Sequence, residues 1–207
     1  MNLLIQRDLC RILAALLLRG DFMRGFVGLF LAALWAAPVA ADEISDALQA
    51  AQDAYAAGDM RVAAAQVTVA QVALQSKQSA LLEALLPEAP AGFTREVNTE
   101  FAAGFSMFGG GAGAEARYAS DTGAFTVNFM ADNQMVTGMV EMFLNPDMLA
   151  MMGKVVKVGE VSILDQGESM TALVAGRVLV TAQGMGSADM LPVVQAIDFD
   201  RLAVFDQ

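Results

Sequence analysis

Six methionines between residues 135 and 152 carry the most distinctive side-chain chemistry in this sequence. Met135, Met139 and Met142 recur at i, i+4 and i+7, a spacing that places three thioethers on one helical face. Thioether sulfur is a soft ligand suited to Cu(I), so the trio is a candidate copper site. Met148, Met151 and Met152 extend the run. Together the six could instead line a groove for a small apolar ligand or a partner helix, because unbranched, polarisable side chains repack easily. A third reading needs no ligand. The methionines stand among Val136, Val140, Phe143 and Leu144 at the spacing of a helix packed on a sheet. There methionine serves as an adaptable core filler. On that default expectation, Phe125 to Gly153 supplies the long apolar face on which the surrounding strands pack.

Absent residue types exclude more chemistry than the present ones suggest. The chain has no histidine and one cysteine, Cys10. A Ser–His–Asp or Cys–His arrangement cannot be assembled. Zinc sites of Cys and His, haem ligation through His and a CxxC redox pair are excluded as well. Carboxylates, a few lysines, two tyrosines and hydroxyls remain. Asp198 with Asp200, and Asp165 with Glu168, lack the alternating ligands and glycine of a calcium loop. They read as solvated surface carboxylates. Arg117 and Arg177 are expected on strands, paired with carboxylates. Gly109-Gly110-Gly111-Ala112-Gly113 has neither a Gly-Lys-Ser/Thr ending nor a following helix, so it reads as a loop leading into a strand rather than a phosphate cradle. No catalytic residue and no cofactor is assigned, and the expectation is a protein that is not an enzyme.

The front of the chain has to be set apart from the fold. Arg24, the apolar run Phe26 to Trp35, and small residues ending at Ala41 follow the plan of a secretory signal peptide. The run is shorter than the ~20 apolar residues of a membrane span, and Pro38 interrupts it. Residues 1–41 are therefore read as an export segment, with translation starting at Met23 and cleavage after Ala41. The protein is expected to be periplasmic and soluble, with no membrane span once cleaved. Residues 42–207 carry 21 acidic against 8 basic side chains. So acidic a segment, with no basic run, excludes nucleic acid as a partner. Cys10 precedes residue 42, so no disulfide holds the exported part and its core must do so.

Two segments follow. Residues 42–88 read as a helical hairpin. Ile44, Ala47, Leu48, Ala51 and Tyr55 share one face of a first helix, and Gly58-Asp59 breaks it. A second helix, from about Met60 to Leu86, offers Ala63, Val67, Ala70, Leu74, Leu81 and Leu85 as inward residues, and Pro87 and Pro90 end it. Ala54-Tyr55, Gly58-Asp59, Ala63 and Ala70 resemble one tetratricopeptide-type hairpin, in which small residues let two antiparallel helices approach closely. A single copy cannot stack into a solenoid.

The proline-rich connector Leu86 to Phe93 marks a boundary, and residues 92–207 form the second segment. A short amphipathic turn is expected over residues 101–108. Strands at 114–119 and 124–130 flank the Ser120-Asp121-Thr122-Gly123 turn. The methionine helix, from about Asn133 to Met152, is divided by Asn145-Pro146-Asp147. A meander over 154–158, 161–165, 169–174 and 177–183 leads to a closing helix at 189–197 and a tail. This predicts an α+β protein: an N-terminal α-hairpin plus an antiparallel β-sheet packed with two helices. The ordering resembles the α/β sandwich of the extrinsic photosystem II oxygen-evolving proteins and their bacterial relatives. It is also similar to a group of secreted proteobacterial proteins with a helical hairpin before such a domain. The residues concerned are Leu86 to Thr94, the glycine run, Asn145 to Met148, Gly176 to Val180, and Ala196-Ile197-Asp198. The resemblance implies a fold and no activity.

The functional expectation is an accessory or protein-binding module of the cell envelope, its partner an envelope protein. The alternative is a carrier of a small apolar ligand or Cu(I) through residues 135–152. A module is expected to expose an apolar patch, for instance along the Ala and Val residues of the hairpin. A carrier should enclose an apolar cavity between the methionine helix and the sheet, and a carboxylate enzyme should converge paired acids in a cleft.

Overall fold

Asp42 starts the first helix by accepting a hydrogen bond from the Ser45 N–H at 3.0 Å, which satisfies one of the donors a helix leaves open at its start. The computed structural model describes residues 42–107 and 110–207. The export segment, with its start at Met23 and cleavage after Ala41, lies outside the described residues, as does Gly109 of the glycine run. Helix α1, Glu43–Ala56, turns at Gly58, whose φ of +80° glycine adopts without a Cβ penalty. Asp59 then caps α2, Met60–Glu83, by accepting from the Val62 N–H. Lys77 meets Asp42, so the two helices run antiparallel.

Their seam is made of alanines. Ala47 and Ala51 of α1 and Ala63 and Ala70 of α2 are buried. The expected inward stripe is corrected at its large residues: Leu48, Tyr55, Val67, Leu74 and Leu81 are exposed, and Leu85 is half-buried. Alanine contacts bring the helix axes close and turn Val67 and Leu74 onto the rim, while Leu81 lies beyond the end of α1. Further along, α2 joins the main core through Leu82, and Leu86 follows it there. Residues 42–207 lie within one compact unit, with the hairpin packed on the sheet.

Seven strands form one antiparallel sheet in the order β1-β2-β3-β7-β6-β5-β4. They are β1 Thr94–Val97, β2 Ala112–Ser120, β3 Gly123–Ala131, β4 Lys154–Val158, β5 Val161–Asp165, β6 Ser169–Val174 and β7 Val178–Gln183. A 3-10 turn at Ala102–Met107 stands where a short amphipathic turn is expected. Helices α3, Gln134–Leu144, and α4, Pro146–Met152, carry the chain from β3 at the centre to β4 at the far edge. The meander then returns until β7 pairs with β3. Asn145 stands between the two helices and accepts from the Asp147 and Met148 N–H groups, and Pro146 takes the first position of α4.

Period-two alternation gives the sheet two unlike faces. On the inner face Tyr118, Phe125, Val127, Phe129, Val180 and Met170 join one core. Helices α5, Ser187–Gln195, and α6, Phe199–Ala203, close that core with Met190, Val193, Val194 and Leu202. Leu164 and Leu179 are also buried, yet they alternate with Ile163 and Val180 and so face the other way. The contacts of α3 with β6 and of α4 with β4 place that helix pair over this outer corner. The rest of the outer face is polar, with Glu115, Arg117, Thr126 and Gln183.

Two junction hydrogen bonds join the hairpin to the sheet. The Gly113 N–H donates to the Ser79 hydroxyl at 3.1 Å, and the Tyr118 hydroxyl donates to the Pro87 carbonyl at 2.6 Å. Tyr118 stacks on Phe125, and Phe93 meets Phe125 edge-on. Burial pushes the Tyr118 phenol up to about 12 from its ordinary value of 10.0. A phenol whose pKa is raised by folding stabilises the fold fully below pH about 10, and that contribution is lost as the pH climbs through about 12. Tyr118→Phe is therefore expected to cost about 1–2 kcal/mol at neutral pH by orphaning the Pro87 carbonyl. It should also remove the alkaline step, a result that urea unfolding on both sides of this pH range reads directly.

Candidate functional site

The methionine helix does not fill the core. Of α3 only Val136 is buried, and of α4 only Leu149, at 1% and 2% exposure. Met135 is 60% exposed and Met151 87%, with Met148 and Met152 also exposed and Met139 and Met142 half-buried. The core-filler expectation is thus corrected. The physical reason is the length of the crossover: α4 has 7 residues and α3 has 11, and each reaches the sheet along one narrow stripe. Because α3 and α4 lie on the outer corner, no further layer covers their backs among the described residues.

Leu144, Met148, Met151, Met152 and Val155 follow one another through the end of α3, α4 and the start of β4, all exposed. Isolated apolar side chains at a surface are ordinary, whereas a run of large ones through adjoining elements is not. Gly153 makes the junction between α4 and β4 tight, since a Cβ there would meet the Asp165 carbonyl oxygen at 2.6 Å. That close approach fixes the methionines of α4 beside the β4 edge. On the hairpin Leu48, Val67, Val69, Val72 and Leu74 are also exposed, with Val67 and Leu74 on one side of α2 and Val69 and Val72 on the other.

The remaining candidates have local roles. Asp198 accepts from the Arg201 N–H and caps α6. Asp165 accepts from the Gly167 N–H in the β5–β6 turn. Gly111 takes φ of +107°, and a Cβ there would meet the Ala131 carbonyl at 2.7 Å, so the glycine run is a fitted lead-in to β2. The Asn133 amide, which also caps α3, donates to the Gly110 carbonyl beside it. Among the described residues no group of three or more His, Cys, Asp or Glu side chains is arranged to hold a metal ion.

Arg177 sits in the turn before β7 rather than on a strand, and it does pair with carboxylates. Its guanidinium reaches Asp132, after β3, and Asp206, near the C-terminus, and it lies 5.1 Å from the Phe205 ring centroid. Gln78 of α2 also donates to Asp206. The arrangement ties four parts of the chain at one end of the sheet. Its hydrogen bond from Arg177 holds the Asp206 carboxyl below the ordinary carboxylate range. Asp42 is likewise lowered to about 2, by its hydrogen bond from Lys77. Both displacements are downward, opposite to what a general acid requires. A depressed carboxylate stabilises the fold above its unfolded pKa and loses that contribution as the pH falls through the folded value. Arg177→Gln is expected to cost about 1 kcal/mol at neutral pH. The difference from the natural chain should shrink below pH about 4, where the unfolded chain's carboxylates protonate; urea midpoints across the acid range test this.

Arg117 has no such partner among the described residues. It projects from β2 onto the outer face, where two open depressions of about 490 and 390 Å3 share Arg117 and Thr126. A third, of about 350 Å3, lies between α2 and the 3-10 turn, lined by Val72, Gln75, Ser79 and Ala102. None of the three is lined by a methionine.

Sequence reasoning passed over two residues beside the methionine surface. Lys154 and Lys157 both stand exposed on β4, and they are two of only three lysines in the chain. That rarity, in so acidic a protein, was the available signal. Among the described residues no helix is long and apolar enough to cross a membrane. Compared with known protein families, curated proteins and solved structures, the chain matches none.

Proposed function

We propose that this protein is an exported, non-catalytic accessory of the cell envelope that binds a partner protein through the methionine surface of α3 and α4. The observation that carries the reading is the exposed sequence of Leu144, Met148, Met151 and Met152 on two helices whose only buried side chains are Val136 and Leu149. Methionine suits such a surface, because its flexible thioether moulds to a partner at low cost. The apolar rim of the hairpin supports the same class of function. Export rests on the sequence of residues 23–41, and a periplasmic location follows from it. The lack of histidine, and of cysteine in residues 42–207, favours binding over catalysis.

A photo-crosslinking residue placed at Met151 tests the reading, with Asp121 in the exposed β2–β3 turn as the control position. The expected result is a cross-linked protein from position 151 only, suppressed when Met148→Gln is added. Equal yields at the two positions, or none at 151, would overturn it.

A further inference from the structure

The β4 edge adds a second recognition element to this surface. The strand ends the sheet, and among the described residues only β5 pairs with it. Its other side leaves alternate backbone N–H and C=O groups free, a template for one more strand. The sequence of β4 is Lys-Val-Val-Lys-Val, which has two cations and no acid. Neither lysine forms an ion pair among the described residues. Glu141, Asp147 and Glu160 lie on neighbouring segments, but a pairing strand meets first the side chains directly opposite it.

What fits the outer side of β4 is shown by what already occupies the inner side. Lys154 stands opposite Asp165, Val155 opposite Leu164, Val156 opposite Ile163 and Lys157 opposite Ser162. The strand β5 thus presents an acid and two apolar residues in register with Lys154, Val155 and Val156. A second copy of β4 would be a poor occupant. Centring the antiparallel pairing between Val155 and Val156 sets Lys154 against the other copy's Lys157, and the reverse. Registers centred on either lysine set it against itself, and those centred on Val155 or Val156 set the lysines against valine or glycine. No register within the strand therefore offers either lysine an acid. Like charges directly opposite are destabilising.

We propose that the β4 edge accepts an extended segment of a partner protein as an eighth strand, and that this segment carries an acid–apolar–apolar–acid sequence. Its acids face Lys154 and Lys157, its apolar pair faces Val155 and Val156, and its flanks rest on Met151 and Met152. This deepens the docking reading above and depends on it.

Short blocked peptides centred on Asp-Val-Ile-Asp and on Lys-Val-Ile-Lys, titrated into isotope-labelled protein and followed by NMR, provide the test. The acidic peptide is expected to bind about tenfold more tightly than the basic one, as two cross-strand charge pairs imply. The β4 amides should gain protection from hydrogen exchange, and Lys154→Glu with Lys157→Glu should reverse the preference while leaving the rest of the spectrum unchanged. Equal affinity, no binding, or shifts remote from β4 would overturn the proposal, leaving the two lysines as guards against edge pairing. Cross-linking at position 151 separates the two levels. If it persists while the peptide preference is absent, strand addition alone fails; if it is also absent, the docking reading fails too.

Discussion

Replacing Phe129 with alanine is expected to lower the free energy of unfolding by about 3–5 kcal/mol, the largest single-site loss of stability predicted for this protein. Phe129 is fully buried on β3, which lies between β2 and β7 at the middle of the sheet. Its cross-strand neighbours are Ala114 on one side and Val180 on the other. Ala112, Ala114 and Ala116 make β2 a strip of small side chains across which α2 packs. The aromatic rings of β3 fill the space those alanines leave, so truncation opens a cavity that neighbouring small residues cannot close. Urea unfolding measures the loss. A value below about 1 kcal/mol, in the range of an ordinary surface substitution, would mean that the core is not organised around β3.

The second large effect falls on binding and spares stability. Met148→Gln with Met151→Gln is expected to weaken partner binding by about 2 kcal/mol, roughly 30-fold, as for central apolar residues of an interface. Stability should change by no more than about 0.5 kcal/mol, because both side chains are exposed and glutamine is a good helix former. A core role would give the opposite pattern, with a loss of stability like that at Phe129. The paired measurement therefore separates a surface from a core on one sample.

The contrast between these sites shows where sequence patterns inform and where they stop. Turn chemistry was legible: Gly58-Asp59, the Ser120 to Gly123 turn and Asn145-Pro146 place the hairpin, β2–β3 and the break between α3 and α4 as expected. β2 and β3 followed from alternation, and the four strands of the meander and the antiparallel class from the tight turns between them. Thr94–Val97 escaped because four residues with two charges at a sheet edge carry no alternation to detect. Phe199–Ala203 escaped because one turn and a half of helix leaves little period. Helical periodicity places methionines on a common face but does not say whether another layer covers that face. Here the crossover lies on the outer corner of the sheet, and nothing among the described residues covers it. The same limit applies to the hairpin, where alanines form the seam and the larger Val67 and Leu74 are turned out. The lysines of β4 gained meaning only from the sheet order, which no local pattern discloses.

Native mass spectrometry of the protein purified from its native cells tests the central claim most directly. A complex with a second protein, dissociated by Met148→Gln with Met151→Gln, is the predicted result. A chain that instead retains a lipid-sized or copper mass, with no protein partner, would contradict the docking account and make α3 and α4 a carrier site.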